Sequence, residues 1–430
     1  MSLLPNIVFA LILFSGVAFF LRNVSKLKRN IYLGKDVDTS GNTKLRWTNM
    51  AKIALGQGKM VRRPISGILH IIVYVGFVII NIEVLEIVID GLFGTHRIFS
   101  VIGPLYGVLI GVFEVLAALV FIAVVIFWFR RNVVKIQRFM KSEMKGWPKL
   151  DGNLILYFEI VLMGLFIIMN ATDVEFQSMN SGNVISQFFA PMFEGYNVHL
   201  IERFAWWVHI TGILVFLNYL YYSKHLHILL AFPNTYYGSV KPKGQLNNLE
   251  AVTNEVKLMM DPDADPYAAT AEDAAPPDKF GASDVQDLNW VQLLNAYTCT
   301  ECGRCTSECP ANQTGKKLSP RKIMMDTRDR LVEVGENIDA NNGEFKLDGK
   351  QLLGDYITNE ELWACTSCNA CVEACPVSID PLSIILEMRR YLVMEQSDAP
   401  MELNNMMSNI ENNGAPWPYN QMDRLNWKND

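Results

Sequence analysis

Five apolar stretches, at approximately 3–21, 65–89, 101–129, 154–171 and 204–232, occupy most of the first 232 residues. Each meets or approaches the roughly 20 residues that a helix needs to cross a bilayer. They account for the low charge of the chain, 19% against about 25% in a soluble domain. The first stretch is not a secretory signal. No basic residues precede it, and Arg22, Lys26, Lys28 and Arg29 follow it. It reads as a retained anchor with its N-terminus outside.

The loops set the orientation. Residues 22–63 hold eleven Lys/Arg against Asp36 and Asp38, and residues 130–149 hold seven more against Glu143. The alternate connections carry only Arg97 and Arg203, beside Asp90, Asp173, Glu175, Glu194 and Glu202. The positive-inside rule places the basic loops, and everything after residue 232, in the cytoplasm. Intrinsic disorder, collagen-like repeats and a disulfide-stapled secreted scaffold are excluded by apolar content, aperiodicity and the clustering of Cys. A net charge of −6 counts against nucleic-acid binding.

The chain has six His residues: 70, 96, 199, 209, 225 and 227. His70 lies about two turns inside the cytoplasmic end of span 2, and His225 and His227 lie near the same end of span 5. Antiparallel counting puts His70 level with one of that pair, as the two axial ligands of one haem require. His209 and His227 are 18 residues apart, five turns of a continuous helix, so they share a face. On that face His70 and His227 are the expected ligands. Lys224 and His225 are left for haem propionates, or simply to snorkel at the helix end.

Residues 234–288 are acidic and Pro-rich. Ten Asp/Glu stand against Lys257 and Lys279 over 249–288, around Asp261-Pro-Asp-Ala-Asp-Pro and Pro276-Pro277. A solvated spacer is expected, with 246–260 able to form a short amphipathic helix first.

The last part of the chain holds all eight Cys in two copies of one pattern. Cys299, Cys302, Cys305, Cys309 and Pro310 give C-x2-C-x2-C-x3-C-P, and Cys365, Cys368, Cys371, Cys375 and Pro376 repeat it. This is the two-cluster [4Fe–4S] run, in which the fourth Cys of each motif ligates the other cluster. It predicts Cys299, Cys302, Cys305 and Cys375 for one cluster, and Cys365, Cys368, Cys371 and Cys309 for the other. Disulfides do not suit a reducing cytoplasm, and zinc ribbons do not place four Cys at this spacing. Between the motifs, Ser319-Pro320 starts a helix that Gly335 is expected to stop, and 343–349 is expected to form a small hairpin. Asp380-Pro381 caps another helix, through about residue 395.

Five spans, the His in span 2 and the 18-residue His spacing in span 5 resemble the cytochrome b subunit of respiratory nitrate reductase. The run Ser223-Lys-His-Leu-His227 with Phe232-Pro-Asn234 is more similar to the membrane subunits of heterodisulfide reductase-like complexes. Gly315-Lys-Lys-Leu-Ser-Pro-Arg321 and Asn412-Asn-Gly-Ala-Pro-Trp417 are similar to runs of the same family, whose ferredoxin domains are α-helical. The resemblance implies an all-α five-helix membrane bundle of the nitrate reductase gamma type (1–233), a linker (234–288), an α-helical ferredoxin domain (289–398) and a C-terminal tail (399–430). It implies two [4Fe–4S] clusters, haem b and menaquinone or another quinone. In nitrate reductase a second span-2 His follows ten residues after the first, where this chain has Ile80. His209 is therefore left for a second haem, a quinone carbonyl or packing. Glu83 and Glu86 in span 2, Glu114 in span 3 and Glu159 in span 4 are candidates for a proton path to the quinone, or for internal hydrogen bonding.

The family commonly carries Cys-Cys-Gly domains after its ferredoxin region. This chain has none, so such a domain is expected on a separate subunit near the tail. The expected function is electron transfer in a bacterial cytoplasmic membrane, between a cytoplasmic partner and the quinone pool. The activity implied is that of an electron-transfer-flavoprotein:menaquinone or heterodisulfide reductase-like oxidoreductase. The alternative is a membrane ferredoxin serving respiratory-complex assembly or redox sensing. No G-x-G-x-x-G or P-loop points to direct nucleotide use.

Overall fold

A computed structural model describes residues 3–429 except 180, 243 and 263–278. Its five longest apolar helices are α1 (Leu4–Ile31), α2 (Pro64–Phe93), α3 (Pro104–Asn132), α4 (Trp147–Thr172) and α5 (Val198–Tyr219). All are long and apolar enough to cross a membrane, and the protein is a membrane protein. Proline in the first turn begins α1 through α4, where its missing N–H would be unpaired anyway. Helices α2 to α5 pack in sequence, each on the next, and α1 lies against α2 and α5. Phe9 wedges from α1 onto Trp206 and Trp207 of α5 and across Gly91 of α2, where a Cβ would stand 2.5 Å from its ring.

The cysteine half is also helical, built on α7 (Trp290–Thr298), α8 (Pro320–Ala340) and α9 (Pro381–Met394). Among the described residues there is no β-strand, only two isolated bridges. This half sits directly on the helix ends that carry the basic loops. One bridge makes part of the joint: Lys35 N donates to Leu288 O at 2.8 Å, and Trp290 N donates to Lys35 O at 3.0 Å. Helix α1 overshoots its apolar run by nearly three turns to reach this joint, and Asn30 donates to Tyr297 Oη at 3.0 Å.

Several expectations need correction. Span 5 is not one continuous helix. α5 ends at Tyr219, a tight turn follows, and Ser223 is extended (φ −116°, ψ 147°) before α6 begins at His227–Tyr237. Buried Asp151 of α4 makes the break favourable. Its carboxylate accepts from Tyr219 Oη at 2.5 Å, Ser223 Oγ at 2.6 Å and Lys224 N at 3.1 Å. The 18-residue phase relation between His209 and His227 therefore has no continuous helix to act through.

Gly335 does not stop α8, which runs on to Ala340. Its missing Cβ instead admits the side-chain amide of Asn30, which any Cβ there would strike. The hairpin expected at 343–349 is absent, because its polar groups are taken from outside. Asn337 exchanges hydrogen bonds with Lys346, and Arg330 binds Asp348. Within the expected spacer, Asn234 of α6 donates to Val377 O at 2.8 Å, and a helix forms at Glu250–Met260. Ala282, Val285 and Leu288 are fully buried in the core of the cysteine half. Most of the acidic, Pro-rich run lies outside the described residues.

The joint at residue 34 is sterically closed. A Cβ on Gly34 would meet backbone, 2.7 Å from Trp290 N and 2.8 Å from Leu288 O. Backbone cannot rotate away as a side chain can. Gly34→Val is expected to cost about 2 kcal/mol of stability, read as a lowered thermal unfolding midpoint of the purified protein.

Candidate redox site at the junction of the two halves

Cys299, Cys302, Cys305 and Cys375 line one cavity, with Gly303, Arg321, Met324 and Ile379 in its wall. Cys299 ends α7, Cys302 and Cys305 flank the turn at Gly303 (φ +71°), and Cys375 follows the short helix Ala370–Ala374. The second set, Cys365, Cys368, Cys371 and Cys309, is partly open, and Cys368 is exposed. Among the described residues no three His, Cys, Asp or Glu side chains close on a single metal ion. Burial pushes the Cys299 thiol up to about 12 and the Cys375 thiol up to about 11. Thiolates in this pocket therefore need a cationic partner, as metal-bound Cys do.

Glu301, in the Cys299–Cys302 loop, ties the cavity to the membrane half. Its carboxylate is 3% exposed. It accepts from Lys224 Nζ, at the break after α5, and from Arg328 Nη1 of α8 at 2.7 Å. Burial alone would raise the Glu301 carboxyl, but the two cations outweigh it and hold it below the usual carboxylate range. Lys224 does not stand free for a haem propionate, as the sequence leads one to expect. Its ammonium is instead engaged by Glu301, by Asp151 at 3.7 Å and by Pro148 O at 2.6 Å.

On the bundle side of the junction, His70 and His227 face one another with ring centroids 6.4 Å apart and planes inclined by 41°. His227 Nδ1 is 3.1 Å from Lys224 O. A carbonyl only accepts, so Nδ1 carries the proton and Nε2 keeps its lone pair. His225 packs beside them, 5.4 Å from the His227 ring and 5.3 Å from Phe216. The His70 end of α2 is held down by both Cys motifs. Arg304 donates to Lys59 O and Met60 O, Arg63 binds Ser307 and Glu308, and Arg62 binds Glu373.

The other predicted residues lie elsewhere. His209 is buried against Phe166 with its Nδ1 unpartnered. Glu86 accepts from Tyr106 Oη at 3.0 Å and Phe99 N at 2.8 Å. Glu114 accepts from Asn170, Ile185 N and Ser186 N. Glu83 is buried with one oxygen unpartnered, and Glu159 is buried. Among the described residues no hydrogen bond joins Glu159 to the other three. Sequence reasoning missed Glu301, Arg304, Arg321 and Asp151. The first two sit inside a Cys motif and Arg321 directly follows a helix-starting Pro, so their positions were visible, but the contacts that occupy them were not.

Residues 298–379 match the model of the 4Fe-4S dicluster domain family. The chain is 29% identical over 417 residues to the Probable iron-sulfur-binding oxidoreductase FadF of Bacillus subtilis, covering 89% of this chain and 54% of that protein. It is 26% identical over 408 residues to the EtfAB:quinone oxidoreductase of Syntrophomonas wolfei, covering 87% and 52%. It is 35% identical over 103 residues to one subunit of the Ferredoxin/F(420)H(2)-dependent CoB-CoM heterodisulfide reductase of Methanosarcina acetivorans, covering 24% and 49%. The relatives are thus iron–sulfur oxidoreductases and a heterodisulfide reductase subunit, and the chain carries a 4Fe-4S dicluster domain. The chain spans about half the length of the first two relatives. No solved structure matches it. The dicluster match covers both Cys motifs of this membrane iron–sulfur protein.

The Glu301 network makes a direct prediction. Glu301→Gln leaves Lys224 and Arg328 buried with reduced compensation. It is expected to destabilise the protein by about 3 kcal/mol, measured by thermal unfolding.

Proposed function

We propose that this protein passes electrons between a cytoplasmic partner and the membrane quinone pool, using two [4Fe–4S] clusters and one haem b. The observation that carries the reading is a juxtaposition. Four thiols lining one cavity stand on a face that is docked onto the helix ends bearing His70 and His227.

Cys299, Cys302, Cys305 and Cys375 hold one cluster, and Cys365, Cys368, Cys371 and Cys309 hold the other. The first set belongs to the membrane-facing side, since Glu301, Arg304 and Arg321 around it all reach residues of the membrane half. The second set contains the exposed Cys368 and faces a soluble partner.

The His pair fits two axial ligands. Two imidazoles bonded to one metal at about 2 Å each, with each ring centroid about 1.1 Å behind its nitrogen, stand about 6.2 Å apart. The observed 6.4 Å agrees. The Lys224 carbonyl acts as the orienting partner that metal-bound imidazoles use. His209 packs instead against Phe166. When bound, these groups accept and donate single electrons. The protein supplies their spacing, burial and nearby charge.

The basic loops and the cluster-binding half lie at the same end of the bundle, which the positive-inside rule puts in the cytoplasm with the N-terminus outside. The flavoprotein class named by the EtfAB:quinone relative is the proposed donor.

Purified protein is expected to contain about eight non-haem irons per chain and a b-type pyridine haemochrome. His70→Ala and His227→Ala should each abolish the haemochrome while keeping the non-haem iron. Haem retained in both variants would refute the axial assignment. Dithionite-reduced haem that a menaquinone analogue fails to reoxidise would refute the quinone role.

A further inference from the structure

Arg321 occupies the first turn of α8 and is 0% exposed. It forms part of the wall of the cavity lined by Cys299, Cys302, Cys305 and Cys375. Its terminal nitrogens bridge the Cys299–Cys302 loop, through Glu301 O at 3.5 Å, and the membrane half. Nη1 donates to Arg138 O at 2.6 Å, and Nη2 donates to Glu143 Oε1 at 2.7 Å. Its Nε is buried and has no partner. The turn between Cys302 and Cys305 rests directly on the guanidinium, because a Cβ on Gly303 would lie 2.5 Å from Arg321 Nη1. An arginine stays charged in proteins, so this is a permanent cation in a water-poor wall. One carboxylate, Glu143, faces it, and that carboxylate also accepts from Ser319 Oγ at 2.8 Å. Two other cations stand near these thiols: Arg304, which donates to Lys59 O and Met60 O and faces Cys302 and Cys375, and Arg138, which stacks on Phe139 at 5.0 Å and faces Cys302.

We infer that Arg321 sets the reduction potential of the cluster held by Cys299, Cys302, Cys305 and Cys375, favouring its reduced form. The inference rests on the cluster assignment proposed above. Reduction adds one electron and one unit of negative charge, with no bond made or broken. A buried cation in the cavity wall stabilises that charge, and its unpartnered Nε–H leaves one donor in that wall unused. Net charge and hydrogen bonds to sulfur are the levers by which proteins tune such potentials. Arg321 is thus a positioning residue. It ties the cluster's electrostatics to the loop between α3 and α4.

The test is a dithionite titration of the purified full chain, followed by electron paramagnetic resonance. Arg321→Met is expected to shift the reduction equilibrium of one cluster at least tenfold toward the oxidised form, about 59 mV for one electron. The other cluster and the iron content should not change. Arg321→Lys should shift it less. Glu143→Gln, which removes the opposing charge, should move the same cluster toward the reduced form. Unchanged potentials in Arg321→Met at full iron content, or equal shifts of both clusters, would overturn the inference. If Arg321→Met does not assemble, absence of the upward shift in Glu143→Gln overturns it. Failure of the underlying cluster assignment would look different. Cys375→Ser would then leave both cluster signals intact.

Discussion

The carboxylate of Glu301, gripped by Lys224 from the membrane half and Arg328 from α8, is the constraint on which the junction depends. An isolated charge at 3% exposure would cost several kcal/mol, and so would either cation left alone. Glu301 depends on both cations, while Lys224 keeps Asp151 and Arg328 keeps Asp329 as further partners. The ion set therefore specifies one docked arrangement rather than simply adding stability. Lys224 can reach Glu301 because α5 breaks at Ser223, and the break persists because Asp151 satisfies the hydroxyl and amide it frees. The same turn delivers His227 toward His70.

The basic loops have two uses. Lys/Arg at helix ends orient the spans in the membrane. Here many of them also bind the cysteine half: Lys26 and Arg29 reach Asp339, Arg62 reaches Glu373 and Arg63 reaches Glu308. These pairs are partly exposed and worth little individually. The buried contacts of Arg321 and Glu301 matter more, because they lie beside the thiols. The joint combines these buried ion pairs with an apolar core that runs across it, in which Leu27, Ile31 and Leu220 pack with Leu288, Leu293 and Leu331.

The spans, the Cys patterns and the helix starts at Pro320 and Pro381 were all legible, because lipid exposure, thiol spacing and proline geometry act locally. The His70–His227 juxtaposition was legible in outcome but for the wrong reason. The helical-phase argument assumed a continuous span 5, and the actual cause is a break stabilised by a carboxylate on another helix. Gly335 misled for a related reason. A glycine in a helix can mark a stop or a close approach, and only the position of Asn30 tells which. Glu86 and Glu114, two carboxylates considered for proton transfer, proved to be hydrogen-bonded within the bundle, whereas Glu83 keeps a buried unpartnered oxygen.

The sequence by itself determined that this is a five-span membrane protein with two complete sets of four thiols, since apolar length and ligand spacing are properties of contiguous residues. Only the tertiary structure decided which set of thiols faces the membrane half, which histidines meet, and that Arg321 and Glu301 stand between cluster site and bundle. Those are contacts between residues up to a few hundred positions apart. Charge pairing and steric fit select them once the chain is folded.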